Sequence, residues 1–416
     1  MSDHLRNIAL VGHGGAGKTS LAEIILYTSG AVSRLGRVED GNTAMDFEPE
    51  EVKRRASIST SFHQYNWGKR TINLMDTPGD QNFFADTRSC IQATDSVIVV
   101  IDAVDGVKVQ TEQAWDLARE LSLPCTLFIN KLDRERSDFK RTLQDILSSF
   151  DLKPIVLQLP IGAEAGFKGM VDLIRMKAFL YDADGKRNEI AVPADMLDQV
   201  KKERESMVEN VAEADDALLE RYLEGALPND DEIREALKKG IRSRSFVPIL
   251  VGSATRRIGI DLLMDFVSDC LPSPLERNPW KGIDPKTGQE TDRLPDPKGP
   301  FSGFVFKTVA DPYAGRLSIF RIISGSLGGD GNFYNINKES KERFTQLLRL
   351  AGKEQRPLTE AGPGSIVAVA KLKDTVTGDT LCDENAKIRY KTLEPPYSMV
   401  SFALKPKSQA DEDKVL

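Results

Sequence analysis

Eight residues near the start of the chain, Gly12-His13-Gly14-Gly15-Ala16-Gly17-Lys18-Thr19, combine the groups that hold a phosphate ester. They fit G-x-x-x-x-G-K-[ST], follow the apolar run Ile8-Ala9-Leu10-Val11 and precede the helical pattern that begins at Ser20. Glycines let successive backbone N–H groups turn inward at phosphate oxygens, and a helix N-terminus behind them adds partial positive charge. Lys18 is expected to reach the β/γ-phosphates and the Thr19 hydroxyl to hold Mg²⁺, with Ser20 completing the nucleotide-binding set. A glycine-rich turn with no ligand is the plain alternative, and the strand and helix on either side argue against it.

Three more segments narrow the nucleotide. Asp76-Thr77-Pro78-Gly79 follows an apolar run, so Asp76 is placed to hold Mg²⁺ through water and the Gly79 N–H to meet a γ-phosphate. Alone, D-x-x-G is also an ordinary turn; one strand after the loop it is informative. Asn130-Lys131-Leu132-Asp133 ends another apolar run. Its carboxylate accepts two hydrogen bonds from guanine N1 and N2, whereas adenine would leave Asp133 unpaired, a discrimination of roughly 10⁴–10⁵. Lys131 is expected to lie over the base and Asn130 to brace the loop. Gly252-Ser253-Ala254 gains meaning only from its position after a later strand, where the Ala254 N–H, beside Ser253, would reach guanine O6. GTP and GDP are therefore the expected ligands, and an ATP-dependent enzyme is disfavoured.

These residues need a scaffold. Residues 6–150 alternate strand and helix patterns, with strands at 71–75, 96–101 and 125–129 and a helix at 111–121. Such units imply a parallel sheet with ligands at the carboxyl ends of its strands. The character changes near 152, and a buried strand returns at 246–251, which reads as an insertion inside the first domain. The expected division is a nucleotide-binding domain over 1–282 with an inserted α+β subdomain at 152–245, a Pro/Gly/Asp-rich linker at 283–299, a small β-barrel at 300–393, and the start of an incomplete third domain at 394–416, including a strand at 398–404.

The bulk composition fits a soluble globular chain of 416 residues, 40% hydrophobic and 29% charged. A net charge of −7 argues against coating nucleic acid by overall charge but leaves local patches open. No apolar run is long enough to span a bilayer, the four cysteines form no C-x-x-C pair, and three scattered histidines make no zinc site. A cytoplasmic monomer with reduced thiols is expected.

The chain resembles the translational GTPases, and among them the elongation factor G family, over nearly its whole length. The resemblance rests on the nucleotide motifs and on three longer stretches. Gly36-Arg37-Val38-Glu39-Asp40-Gly41-Asn42-Thr43-Ala44-Met45-Asp46-Phe47 is similar to the entry of that family's first switch. Gln158-Leu159-Pro160-Ile161-Gly162-Ala163-Glu164 is similar to part of its inserted subdomain, and Leu372-Lys373-Asp374-Thr375-Val376-Thr377-Gly378-Asp379-Thr380-Leu381 to part of its second domain. The resemblance implies an α/β P-loop GTPase domain with an inserted α+β subdomain, followed by an all-β translation-factor barrel. It implies the ribosome as partner, and a fragment or shortened form that lacks the family's later domains.

The resemblance also exposes departures. The family's metal- and γ-phosphate-sensing threonine falls on Ser57, whose hydroxyl can coordinate equally well, so the expected metal set is Thr19, Ser57 and Asp76. The usual Arg-Gly pair is Arg54-Arg55, and an expected P-loop Asp is Gly15. The histidine that positions the attacking water is replaced by Asp80. A carboxylate ~4 Å from a phosphate charge at an effective dielectric of ~20 costs about 4 kcal/mol, and losing a positioned polar group typically costs roughly 10²–10³ in rate. Asp80, Gln81 and Lys18 are the candidate catalytic residues, Gln81 replacing the missing imidazole if the segment shifts by one position. The expectation is GTP binding with weakened hydrolysis; the alternatives are a GTP-locked regulatory module on the ribosome and a recycling or protection factor.

Overall fold

The computed structural model describes residues 2–277, 279–311, 315–393 and residues 403, 405, 406 and 408. Seven strands form the first sheet: β1 (Leu5–Val11), β2 (Ser61–Trp67), β3 (Arg70–Asp76), β4 (Ser96–Asp102), β5 (Cys125–Asn130), β6 (Pro154–Val156) and, after the insertion, β11 (Val247–Val251). Their order is β2-β3-β1-β4-β5-β11-β6, parallel throughout except for the β2–β3 edge pair. The central strands are apolar on both faces, as β4 (Ser96-Val97-Ile98-Val99-Val100-Ile101-Asp102) shows by being buried from end to end. Helices α1 (Lys18–Thr28), α2 (Pro49–Arg54), α3 (Phe84–Gln92), α4 (Val109–Glu120) and α5 (Phe139–Ser149) connect them.

The insertion differs from expectation at its start. β6 pairs with β11 and so belongs to the first sheet; three residues carry too little pattern to say which sheet they join. Beyond it, β7 (Gln158–Ile161), β8 (Gly169–Asp172), β9 (Lys177–Tyr181) and β10 (Arg187–Ile190) make an antiparallel meander. It is followed by α6 (Leu197–Ala212), α7 (Asp216–Leu223) and α8 (Asp230–Ser243). The chain re-enters the first sheet at β11 and continues into α9 (Ile260–Cys270). The Asp261 and Asp265 carboxylates of α9 tie the meander down: Tyr181 Oη donates to Asp261 at 2.6 Å, and Arg187 pairs with both, at 3.2 and 3.4 Å.

The stretch expected as a linker carries structure. β12 (Trp280–Ile283) and β13 (Glu290–Arg293) form a hairpin, turned by Asp284 to Gln289, and β12 also pairs with the last described strand. The second domain is all antiparallel. Its eight-stranded sheet takes β14 (Ser302–Asp311), β15 (Gly315–Ser324), β17 (Gly331–Asn335), β18 (Ser340–Phe344), β19 (Leu347–Ala351), β20 (Glu354–Leu358), β22 (Ile366–Ala370) and β23 (Thr380–Cys382). They run in the order β18-β17-β23-β14-β15-β22-β19-β20, with β16 (Leu327–Gly328) pairing with β21 (Glu360–Ala361) beside them. β24 (Arg389–Tyr390) closes onto β12. The third-domain start expected at 394–416, with its strand at 398–404, falls outside the described residues except for 403, 405, 406 and 408.

Polar and aromatic contacts weld the domains. Asp95 and Arg321, both buried, pair at 2.6 Å, and Asn7 Nδ2 donates to Asp95 and to the Gly364 carbonyl. Arg277 and Arg321 both lie over the Trp280 ring, 4.4 and 5.6 Å from its centre. Phe62 on β2 meets Phe306 on β14 edge-on at 5.8 Å, and Gly352 N–H donates to the Phe62 carbonyl.

Candidate functional site

The loop between β1 and α1 lies at the carboxyl ends of the parallel strands. Gly17 caps α1 at φ 93°, and a Cβ there would stand 2.5 Å from Asn130 Nδ2, so left-handed backbone and lack of space both require glycine. Lys18 curls over its own loop and donates to the Gly12 and His13 carbonyls, both at 2.9 Å. Ala16 N–H donates to the His13 carbonyl, closing the turn. His13 is anchored from outside: its N–H donates to Thr111 Oγ1, and its Nδ1 lies 2.6 Å from Gln110 Oε1 on α4. Ser20 follows, half-buried, in the first turn of α1.

The second segment closes against this loop. Gly14 N–H donates to the Gly79 carbonyl at 2.9 Å, and a Cβ on Gly79 would stand 2.3 Å from Lys18 Nζ. Asp76 ends β3 beside them. Its carboxylate is buried without a hydrogen bond of normal geometry, and burial, with the Asp46 charge, pushes it up to about 8 despite the nearby Thr19 hydroxyl. Burial likewise pulls Lys18 down to about 8, against the pull of Asp76 and Asp46.

Asp46 belongs to this group and was not singled out from the sequence. It is buried, both its oxygens lack a normal hydrogen bond, and burial raises it above the usual carboxylate range although Ser57 lies close. Ser57 Oγ in turn sits 3.0 Å from Thr19 Oγ1. The structure thus gathers two hydroxyls and two under-satisfied carboxylates beside the phosphate loop, hard oxygen donors of the kind Mg²⁺ takes. Orphaned buried carboxylates are costly as they stand, which makes the cluster fit a cation.

Two more buried glutamates hold Ser57 and Asp46 in place. Glu23 on α1 accepts the Ala44 and Met45 N–H groups at 2.8 and 2.9 Å, and burial raises it to about 7. Glu51 on α2 accepts the Ile58 and Ser59 N–H groups at 2.9 and 3.1 Å. The signal for α2 was present in the sequence: Glu48 and Glu51 form a reciprocal capping box, and Pro49 stands at the first helical position.

The base-reading end is assembled from three strands. Asn130 Nδ2 donates to the Ala16 carbonyl at 2.9 Å, while its Oδ1 accepts Ala254 N–H at 3.0 Å, so one side chain joins both base loops to the phosphate loop. Lys131 Nζ donates to the Gly15 carbonyl and pairs with Asp102 at 2.8 Å; Asp102, at the end of β4, is a second residue that the sequence did not single out. Asp133 Oδ1 is buried with no partner, the feature expected of a carboxylate that waits for a base edge. Ser253 is buried and its hydroxyl accepts Arg256 N–H.

The two remaining candidates stand apart from this cluster. Asp80 is exposed, and its Oδ1 accepts both Asn82 N–H and Asn82 Nδ2 at 2.8 Å, capping a short 3₁₀ turn at Gln81–Phe83. Gln81 is exposed in that turn.

Comparison with known proteins places both halves. Residues 3–273 match the family described as the elongation factor Tu GTP binding domain, and residues 300–384 match elongation factor G domain 2. A crystal structure from Thermus thermophilus superposes with a TM-score of 0.82 at 29% identity over 99% of this chain. The chain spans 59% of that relative's length.

Proposed function

Since the chain belongs to the elongation factor Tu GTP-binding family, as a translational GTPase of the elongation factor G type, we propose that it binds GTP with Mg²⁺ at the ribosome and hydrolyses it slowly. The binding half rests on the Asn130 hub and on the unpaired Asp133 carboxylate. Thr19, Ser57 and Asp76 would hold Mg²⁺, Asp76 through water, with Asp46 alongside. Bound there, the ion supplies positive charge to the phosphate oxygens. The protein's own groups do the rest: the loop amides and Lys18 bind phosphate, Lys131 covers the base, and Asp133 reads its edge.

A phosphate in the loop competes with the Gly79 carbonyl for Gly14 N–H and with the Gly12 and His13 carbonyls for Lys18. Freeing Gly14 requires the 76–80 segment to move, which gives that segment a nucleotide-dependent position. The single observation behind slow hydrolysis is the Asp80 carboxylate, an anion bonded to Asn82 in a position where the family uses an imidazole. In this reading the chain acts on cytoplasmic ribosomes.

Binding of a fluorescent GDP, with GTP, ATP and xanthosine diphosphate as competitors, tests the reading. The native chain should prefer GDP and GTP over ATP by roughly 10⁴ or more. Asp133→Asn should lose that preference and gain xanthosine diphosphate, because an amide donor matches the carbonyl that xanthine carries in place of the guanine amino group. Equal binding of ATP and GTP by the native chain would contradict it.

A further inference from the structure

The two base-reading loops are not held by the GTPase sheet alone. A short loop of the insertion, Gly162-Ala163-Glu164-Ala165-Gly166-Phe167, reaches both. Glu164 Oε1 accepts Arg136 N–H at 2.8 Å, which stops the turn that begins at Asp133. Within the turn, Arg134 N–H donates to the Lys131 carbonyl, Ser137 donates to the Arg134 and Leu132 carbonyls, and Arg141 Nη2 donates to the Arg136 carbonyl. On the other side, Arg256 Nη1 donates to the Ala165 carbonyl at 2.9 Å and the Phe167 carbonyl at 3.3 Å. The Arg256 N–H is bonded to Ser253, next to the Ala254 amide that meets Asn130.

Backbone strain concentrates at the same corner. Of the ten non-glycine residues with left-handed backbone among the described residues, Lys131, Arg136, Glu164 and Arg257 belong to these three loops. Left-handed backbone costs such residues roughly 1–2 kcal/mol each and persists where neighbouring contacts enforce it. Phe167 roots the insertion loop, buried in the same apolar cluster as Ile129 and Val251, the strand residues that lead into the two base loops.

We propose that the insertion loop 162–167 is a clasp that positions the two halves of the guanine site, with Glu164 and Arg256 as its positioning residues. The clasp acts through the backbone of the two loops and sets how readily the Asp133 and Ala254 loops part. It rests on the reading of this pocket as a guanine-nucleotide site.

The test is the dissociation rate of N-methylanthraniloyl-GDP from the full chain. Glu164→Ala should release it about fivefold faster, the effect of losing one ordinary hydrogen bond, and Arg256→Ala, which loses two, at least as fast. Glu164→Gln keeps an acceptor oxygen and should release at the native rate, and the ligand-free melting temperature should fall by no more than about 2–4 °C in any variant. Native release from Glu164→Ala, equally fast release from Glu164→Gln, or a loss of ligand-free stability that accounts for the faster release would each overturn the clasp. A native chain that binds no guanine nucleotide would instead overturn the reading beneath it.

Discussion

Arg55 shows how one substitution leaves a physical trace. It ends α2 with φ 57° and ψ 37°, the left-handed cap at which glycine is unstrained. The family resemblance expects glycine there, and this chain keeps the backbone while changing the residue. Arg55→Gly should therefore stabilise the chain by about 1 kcal/mol, read as a higher urea midpoint at constant m-value; an unchanged or lower midpoint would mean that the guanidinium beside Gly41 matters more than the strain. Asp80 is the second such residue and the larger in consequence. Its carboxylate has an ordinary use as a turn cap, which explains why the segment tolerates it, and that use supplies no group to orient water. Asp46 teaches the converse. A lone aspartate in a loop carries no spacing signal, and only the fold brings it beside Asp76, Thr19 and Ser57.

Among the elements, the segment from Ala44 to Thr60 is held from three sides: by Glu23 on α1, by Glu51 on its own helix, and by the barrel. The barrel's grip is Lys307 on β14, which donates to Ser59 Oγ and to both Asp86 oxygens on α3, while Asp86 also accepts Thr60 N–H. Lys307→Ala should cost the segment about 2 kcal/mol of local stability. Tryptic cleavage after the exposed Arg54 and Arg55 should then run roughly 30-fold faster, since cleavage tracks the open population. An unchanged cleavage rate would remove the barrel from the account of switch order. The parallel strands were legible in the sequence because Ser96 to Ile101 and Cys125 to Ile129 are apolar runs bounded by turn residues. β2 was not, since Ser-Phe-His-Gln-Tyr-Asn-Trp buries polar residues against the barrel, a contact invisible before the fold. The hairpin of β12 and β13 was hidden for the same reason: Pro, Gly and Asp dominate its turn, and its pairing partner β24 lies about a hundred residues on. At the nucleotide site, motif spacing marked the residues that would face the ligand. Among the residues that hold them, Asp102 and Glu23 follow no motif, and Glu164 ends a stretch matched only to the insertion, so their roles come into view through hydrogen bonds.

At the scale of the molecule, the GTPase domain and the barrel share a buried polar seam through Asn7, Asp95, Arg321 and Arg277. Asp95 keeps Arg277 and Asn7 when Arg321 is removed, so Arg321→Ala should lower the unfolding free energy by about 1.5–3 kcal/mol and alter Trp280 fluorescence. Adding Asp95→Asn to Arg321→Met takes the anion from the buried Arg277 as well and should lower stability further; recovery to the native value would show that the seam does not need its charges. The seam fixes the barrel to the GTPase domain, so the movement proposed for the 76–80 segment would take place against one body rather than two. The central claim is that this body takes up GTP and holds it uncleaved for long periods because Asp80 cannot do what an imidazole does. Single-turnover GTP hydrolysis, with and without ribosomes, on the native chain and on Asp80→His, tests it most directly. The native chain should cleave slowly in both conditions, and Asp80→His should cleave roughly 10²–10³ faster on ribosomes. Rapid ribosome-stimulated cleavage by the native chain would contradict it.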